Sequence, residues 1–159
     1  DEGYLSETTA ILGFLESCVP EVPMVSRDSF KSAQMAQLIK VVELYIANES
    51  GRVLGYAFFG HELNEQVAAE IRPKMERGLA ALERLVRFSP YIMGEDICMA
   101  DFFTYYIFAS ARPIAKRVWD WDIVPEVEGL DDWLRLMSAR PMVKQVNAEL
   151  NDAVAKIMT

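Results

Sequence analysis

A chain of 159 residues that is 52% hydrophobic carries enough apolar mass for one ordinary core, which fits a single domain with at most a short appendage. Its 24 acidic against 16 basic residues leave a net charge of −8, a field that repels polyanions, so nucleic acid is excluded as an expected partner. Two isolated cysteines and a single histidine build neither a multi-histidine metal site nor a dithiol pair, so no metal is expected and both thiols read as small packed hydrophobes.

In chain order the periodicity is helical nearly throughout, and no strand pattern of useful length occurs. Over residues 7–18, Ile11, Phe14, Leu15 and Cys18 share one stripe, and Val19-Pro20-Glu21-Val22-Pro23 ends that helix in an extended linker. A second helix is expected from Ser26 or Asp28 to about Ser50, with Phe30, Met35, Leu38, Ile39, Val42 and Ile46 facing inward. The glycine-punctuated apolar stretch 53–60 reads as a packed loop, a short strand being the alternative, and His61 as a surface residue at a helix start. A third pattern over residues 63–88 contains Pro73, which predicts a kink or two helices in tandem. After the turn at 89–94 comes a core helix over about 99–116, whose end Pro113 should fray or bend. Helices at 127–138 and 141–158 follow, the latter opened by Pro141 at a position where a missing donor costs little. Arg140 is expected to cap carbonyls at the end of the helix before it.

Two stretches carry more than periodicity. In Gly94-Glu95-Asp96-Ile97-Cys98-Met99-Ala100-Asp101, Cys98 takes the N-cap position and Asp101 the third helical one, from which an acid bonds back to the cap amide. Ile97 and Phe102 stand at hydrophobic-staple spacing. Cys98 and Asp101 are therefore assigned to holding the fold, because a carboxylate bonded to amides is stabilised as an anion and is poorly disposed to shuttle protons. At the mouth of the first helix stands Ser6-Glu7-Thr8-Thr9. Free amides and a partial positive charge suit that mouth to a carboxylate; the alternative is that Ser6, Thr8 or Thr9 merely caps it.

These residues together resemble the helical C-terminal domain of the cytosolic glutathione transferases. The stretch ending in Asp101 is similar to that family's Gly-Asp-x-x-Ser/Thr-x-Ala-Asp, with Cys98 replacing the hydroxyl residue. Leu5-Ser6-Glu7-Thr8-Thr9-Ala10-Ile11-Leu12-Gly13-Phe14-Leu15-Glu16 resembles its Leu-x-Glu-Ser-x-Ala-Ile-x-x-Tyr-Leu-Glu, and Trp133-Leu134-Arg135-Leu136-Met137-Ser138-Ala139-Arg140-Pro141-Met142-Val143 its Trp-x-x-x-Met-x-x-Arg-Pro-x-Val. The resemblance implies an all-α bundle of five to six helices over residues 26–159, preceded by a linker at 20–25. Residues 1–19 then form the last strand and helix of a truncated thioredoxin-like domain.

The implied protein is a cytoplasmic, homodimeric transferase of detoxification, with no membrane partner, that joins its co-substrate glutathione to small hydrophobic electrophiles. Glu7 and Thr8 then hold the γ-glutamyl end of glutathione, the acid near its ammonium and the hydroxyl near its carboxylate. Met35, Leu38 and Val42, with Tyr105, Tyr106 and Ser110 from the core helix, line the electrophile pocket; the competing reading of Met35, Leu38 and Val42 is plain core packing. No catalytic residue is assigned, since the family's thiol-activating Tyr, Ser or Cys lies in the thioredoxin-like domain, and the chain is expected to be an inactive fragment alone. The alternatives are a non-catalytic transferase-like helical module for protein–protein assembly, and a dehalogenase or isomerase that uses glutathione as cofactor.

Overall fold

The computed structural model describes residues 3–157, and among them the chain is all-helical. Its elements are α1 (Thr8–Cys18), α2 (Ser29–Val42), a π-helical turn (Glu43–Ala47), α3 (Asn48–Gly51), α4 (Leu54–Phe59), α5 (Glu65–Leu85), α6 (Met99–Trp119), α7 (Leu130–Ser138) and α8 (Pro141–Ile157). The expected end of the last helix at Met158 lies outside the described residues. Two short helices and the π turn raise the count above the five to six anticipated, because both α3 and α4 are too short to show a hydrophobic period.

Helix α6 is the axis of the bundle and packs against α2, the π turn, α3, α4 and α7. Its inward face of Ala100, Phe103, Phe108, Ala111, Ile114 and Ala115 meets Leu38, Ile39, Val42 and Ile46 from the second helical run and Ile71, Met75, Leu79 and Leu82 from α5 in one core. Each fully buried Leu, Ile or Phe contributes about 1.5–3 kcal/mol by leaving water. Asp28 starts α2 by accepting the amides of Phe30 and Lys31, both at 2.9 Å, and Asn64 starts α5 by accepting that of Val67 at 3.1 Å.

The start of α6 is built around one carboxylate. Asp101 is wholly buried; its Oδ2 accepts the Cys98 amide at 2.9 Å, completing a capping box. Its Oδ1 accepts the Ile92 amide and the indole Nε1–H of Trp133, each at 2.9 Å. A buried anion is tolerated when donors replace its lost water, and here three donors come from the preceding loop, the helix cap and α7. Trp133 in turn carries the Phe88 ring at 5.7 Å. Gly129, with φ +79, starts α7 because an added Cβ would come within 3.0 Å of the Phe88 ring; α7 therefore opens at Leu130 rather than at the anticipated position 127.

Several expectations are corrected. Phe30 is 73% exposed, since at the first turn of α2 it lies beyond the end of the packed bundle. Stretch 53–60 is neither loop nor strand: α4 forms over Leu54–Phe59 and Gly60 ends it with φ 69. His61 is exposed but precedes α5 by several residues, its amide bonding back to the Gly55 carbonyl at 3.2 Å. Pro73 and Pro113 neither split nor end their helices. Both face solvent, as do Ala69 and Ala109 one turn earlier, so water can satisfy the carbonyls that lose a donor. Arg140 caps no carbonyl; it donates to the Tyr91 hydroxyl at 2.9 Å and lies over that ring at 5.7 Å.

The long second helix is interrupted at the π turn, where Gly78 of α5 approaches so closely that a Cβ would lie 2.5 Å from Tyr45 Cβ and 3.4 Å from its backbone. Gly78→Ala, favoured by about 1 kcal/mol on helix propensity alone, is therefore expected to destabilise the protein by about 1–3 kcal/mol, measured by urea unfolding. Asp101→Ala strands three buried donors at about 1 kcal/mol or more each. A thermal melt should fall by roughly 6–12 °C for that loss; a shift near zero would deny Asp101 its central place.

Candidate functional site

Helix α1 differs from the other long helices of the molecule. Among the described residues it has no buried side chain: Ile11, Phe14 and Leu15 are 37%, 50% and 51% exposed, and Cys18 is exposed as well. The stripe that periodicity finds is present but faces outward. Of the apolar side chains of this helix, Leu12 is half-buried against the core.

The mouth of α1 is formed by Glu7 at the N-cap, with φ 67 and ψ 120, and no side chain caps it. The capping alternative for Ser6, Thr8 and Thr9 is thus not realised, and the first-turn amides stand open beside the exposed Thr8. A non-glycine residue at such angles carries about 1–3 kcal/mol of strain. Open amides, the dipole's positive end and the Thr8 hydroxyl make a receptor for a carboxylate, and the Glu7 carboxylate beside them favours a cation nearby.

A cleft of about 750 Å³ lies between the linker, the start of α2 and the loop before α6, lined by Met24, Val25, Met35, Met93, Ile97 and Cys98 with Arg27, Lys31, Glu95 and Asp96 among its polar groups. Of the sequence-derived pocket residues, Met35 opens onto it, whereas Leu38 and Val42 are wholly buried in the core. Tyr105, Tyr106 and Ser110 do not line it. The buried Tyr105 accepts from Asn147 Nδ2 at 2.8 Å, tying α6 to α8. Tyr106 stands edge-on to Tyr105 at 5.1 Å; burial, and then Tyr105, push its hydroxyl above the ordinary phenol range and keep it neutral. Exposed Ser110 donates to the Ile107 carbonyl at 3.0 Å.

Of the cleft residues, Met24 and Val25 belong by sequence to the linker and Met93 to the turn, while Ile97 is the staple residue before the core helix. The only sequence signal of the first three was apolar character inside segments otherwise rich in Pro, Gly and acids, and bringing the four together requires the tertiary fold. The cleft also holds Cys98, whose thiol is pushed up to about 12 by burial and then by the Asp101 carboxylate. That thiol is neutral and unreactive at neutral pH. Because the folded thiol stays protonated where the unfolded one ionises, it subtracts stability as pH rises from 9 towards 12. Alkylation of the native protein with iodoacetamide at pH 8 is expected to label Cys18 and spare Cys98 until denaturant is added, as read by peptide mass; equal labelling would contradict this.

Comparison with known proteins places this geometry. The family model described as glutathione S-transferase, C-terminal domain, matches residues 65–136. A Pseudomonas putida protein named glutathione S-transferase is 27% identical over 158 residues, covering 99% of this chain and 72% of its own length. Among solved structures, maleylpyruvate isomerase from Pseudomonas aeruginosa superposes with a TM-score of 0.69 at 22% identity, over 89% of this chain and 72% of that one. A glutathione S-transferase from Methylobacterium radiotolerans, solved in complex with glutathione sulfonate, gives 0.69 at 20% identity, over 90% of this chain and 66% of that one. At such identities the two structures speak for the fold alone.

Proposed function

Because the chain belongs to the glutathione S-transferase family, we propose that it forms the C-terminal part of an enzyme that transfers the thiolate of glutathione to small hydrophobic electrophiles. The observation that carries this reading is the uncapped mouth of α1, with Glu7 held at φ 67 in front of Thr8. The γ-glutamyl carboxylate of glutathione accepts from the first-turn amides and the Thr8 hydroxyl, and its α-ammonium sits against the Glu7 carboxylate. Strain at Glu7 supports the assignment, since strained backbone gathers where a ligand is clamped.

In the reaction the sulfur of glutathione forms a bond to an electrophilic carbon, the leaving group departs with its electron pair, and the thiol proton is lost to solvent or base. This chain's part is to anchor one end of glutathione and to offer an apolar surface to the electrophile. Met35, at the cleft, is the best placed of the residues first assigned to that surface, because an unbranched, polarisable side chain adapts to varied partners. Tyr105, Tyr106 and Ser110 are proposed to contribute from α6 and not from this cleft, Tyr105 from beside α8. We place the group that activates the thiol, and a thioredoxin-like domain to hold it, in the part of the protein matching the remaining length of the Pseudomonas putida relative. A cytoplasmic homodimer acting in detoxification completes the reading.

The test uses the full-length protein. Immobilised glutathione is expected to retain it, and Thr8→Ala or Glu7→Ala to weaken the affinity about tenfold, the size of one hydrogen bond to a charged group. Unchanged binding by both variants, measured by titration calorimetry, would remove glutathione from this mouth.

A further inference from the structure

Helix α1 carries the mouth yet has no fully buried side chain and packs on the core through half-buried Leu12, so hydrophobic packing by itself holds its direction loosely. Among the described residues the structure supplies one polar fastening. Glu16, in the last turns of α1, accepts the Met24 amide with both carboxylate oxygens, at 3.1 and 3.0 Å, and the Val25 amide with Oε1 at 3.1 Å. The carbonyl of Met24 in turn accepts the amide of Met99, the first residue of α6, at 3.0 Å. Two residues further on, Asp101 anchors that helix start to the loop and to α7.

We propose that Glu16 is a positioning residue for the anion-binding mouth of α1, fixing its aim relative to the bundle through Met24 and the start of α6. The inference rests on the assignment of glutathione to Glu7 and Thr8. Thr8 and Glu16 stand on one rigid helix, separated by about 12 Å at 1.5 Å of rise per residue. A tilt of about 5° at the fastening therefore moves the mouth by about 1 Å, enough to spoil a clamp whose tolerance is about 0.5 Å. A carboxylate suits the task because one group accepts two successive amides, and charged acceptors make the stronger bonds. Leu12 contributes contact with the core, but an apolar contact permits rotation and sliding that directional hydrogen bonds do not.

The experiment compares the full-length parent, Glu16→Ala, Glu16→Gln, Thr8→Ala, Glu7→Ala and the Glu16→Ala/Thr8→Ala double variant by glutathione titration calorimetry, with amide hydrogen exchange on each. Glu16→Ala is expected to weaken glutathione binding about tenfold or more, with faster exchange confined to Met24, Val25 and α1 while the amides of α5 and α6 stay protected. Glu16→Gln keeps an oxygen acceptor for both amides and should restore affinity to within about threefold of the parent. The double variant should bind little worse than either single one, because both act through the same mouth. Parent-like affinity in Glu16→Ala beside weakened binding in Thr8→Ala overturns the positioning role and leaves the mouth intact. A loss in Glu16→Ala accompanied by faster exchange throughout α5 and α6 overturns it too, as a mere loss of fold. Unchanged binding by both Thr8→Ala and Glu7→Ala, or no binding by the parent, removes the glutathione assignment and the positioning role with it.

Discussion

The buried carboxylate of Asp101 is the constraint on which the rest of the architecture depends. An anion removed from water must be given back its hydrogen bonds, and the donors that do so are two amides of the loop and cap before α6, those of Ile92 and Cys98, and the remote indole of Trp133. Meeting that requirement brings the loop before α6 against the helix start and draws α7 across it. It also fixes one wall of the cleft, since Ile97 and Cys98 stand next to the capped turn. The same negative charge, added to burial, holds the Cys98 thiol in its neutral form, so a residue that looks reactive by type is made inert by its neighbour.

Stability and candidate function are divided between two parts of the chain. The bundle around α6 is dense, apolar and well supplied with caps. Helix α1 is exposed on its apolar stripe, strained at its first residue and tied to the bundle by Leu12 and the Glu16 carboxylate. Elements that bind ligands are commonly drawn from the less stable end of a structure. Here the ordered pathway from Asp101 through Met99 and Met24 to Glu16 lends the mouth a direction that its own packing does not supply.

Helical periodicity, the start of α2 at Asp28 and the proline that opens α8 are local effects, governed by residues within one or two turns, and were legible in the sequence. So were Asp101 as a structural acid and the inward face of Met35, Leu38, Ile39, Val42 and Ile46. Departures arose where the deciding atoms are remote. Pro73 predicts a kink or two helices in tandem and Pro113 a frayed or bent end because proline lacks a donor, but whether a helix continues through proline depends on which side of it faces water. At the π turn Tyr45 meets Gly78, a contact across 33 positions that no window of sequence contains. Arg140 chose an aromatic hydroxyl, brought from Tyr91, over the nearby carbonyls.

By itself the sequence determined an all-helical chain and the acid that starts its central helix, because each of these follows from side chains interacting with their own backbone. Tertiary structure decided that the mouth of α1 is left uncapped and strained, that Leu38 and Val42 are sealed in the core while Met35 reaches a cleft, and that Glu16 fastens α1 to the bundle. Those outcomes depend on which surfaces exclude water from which groups, and exclusion of water is a property of the packed molecule as a whole.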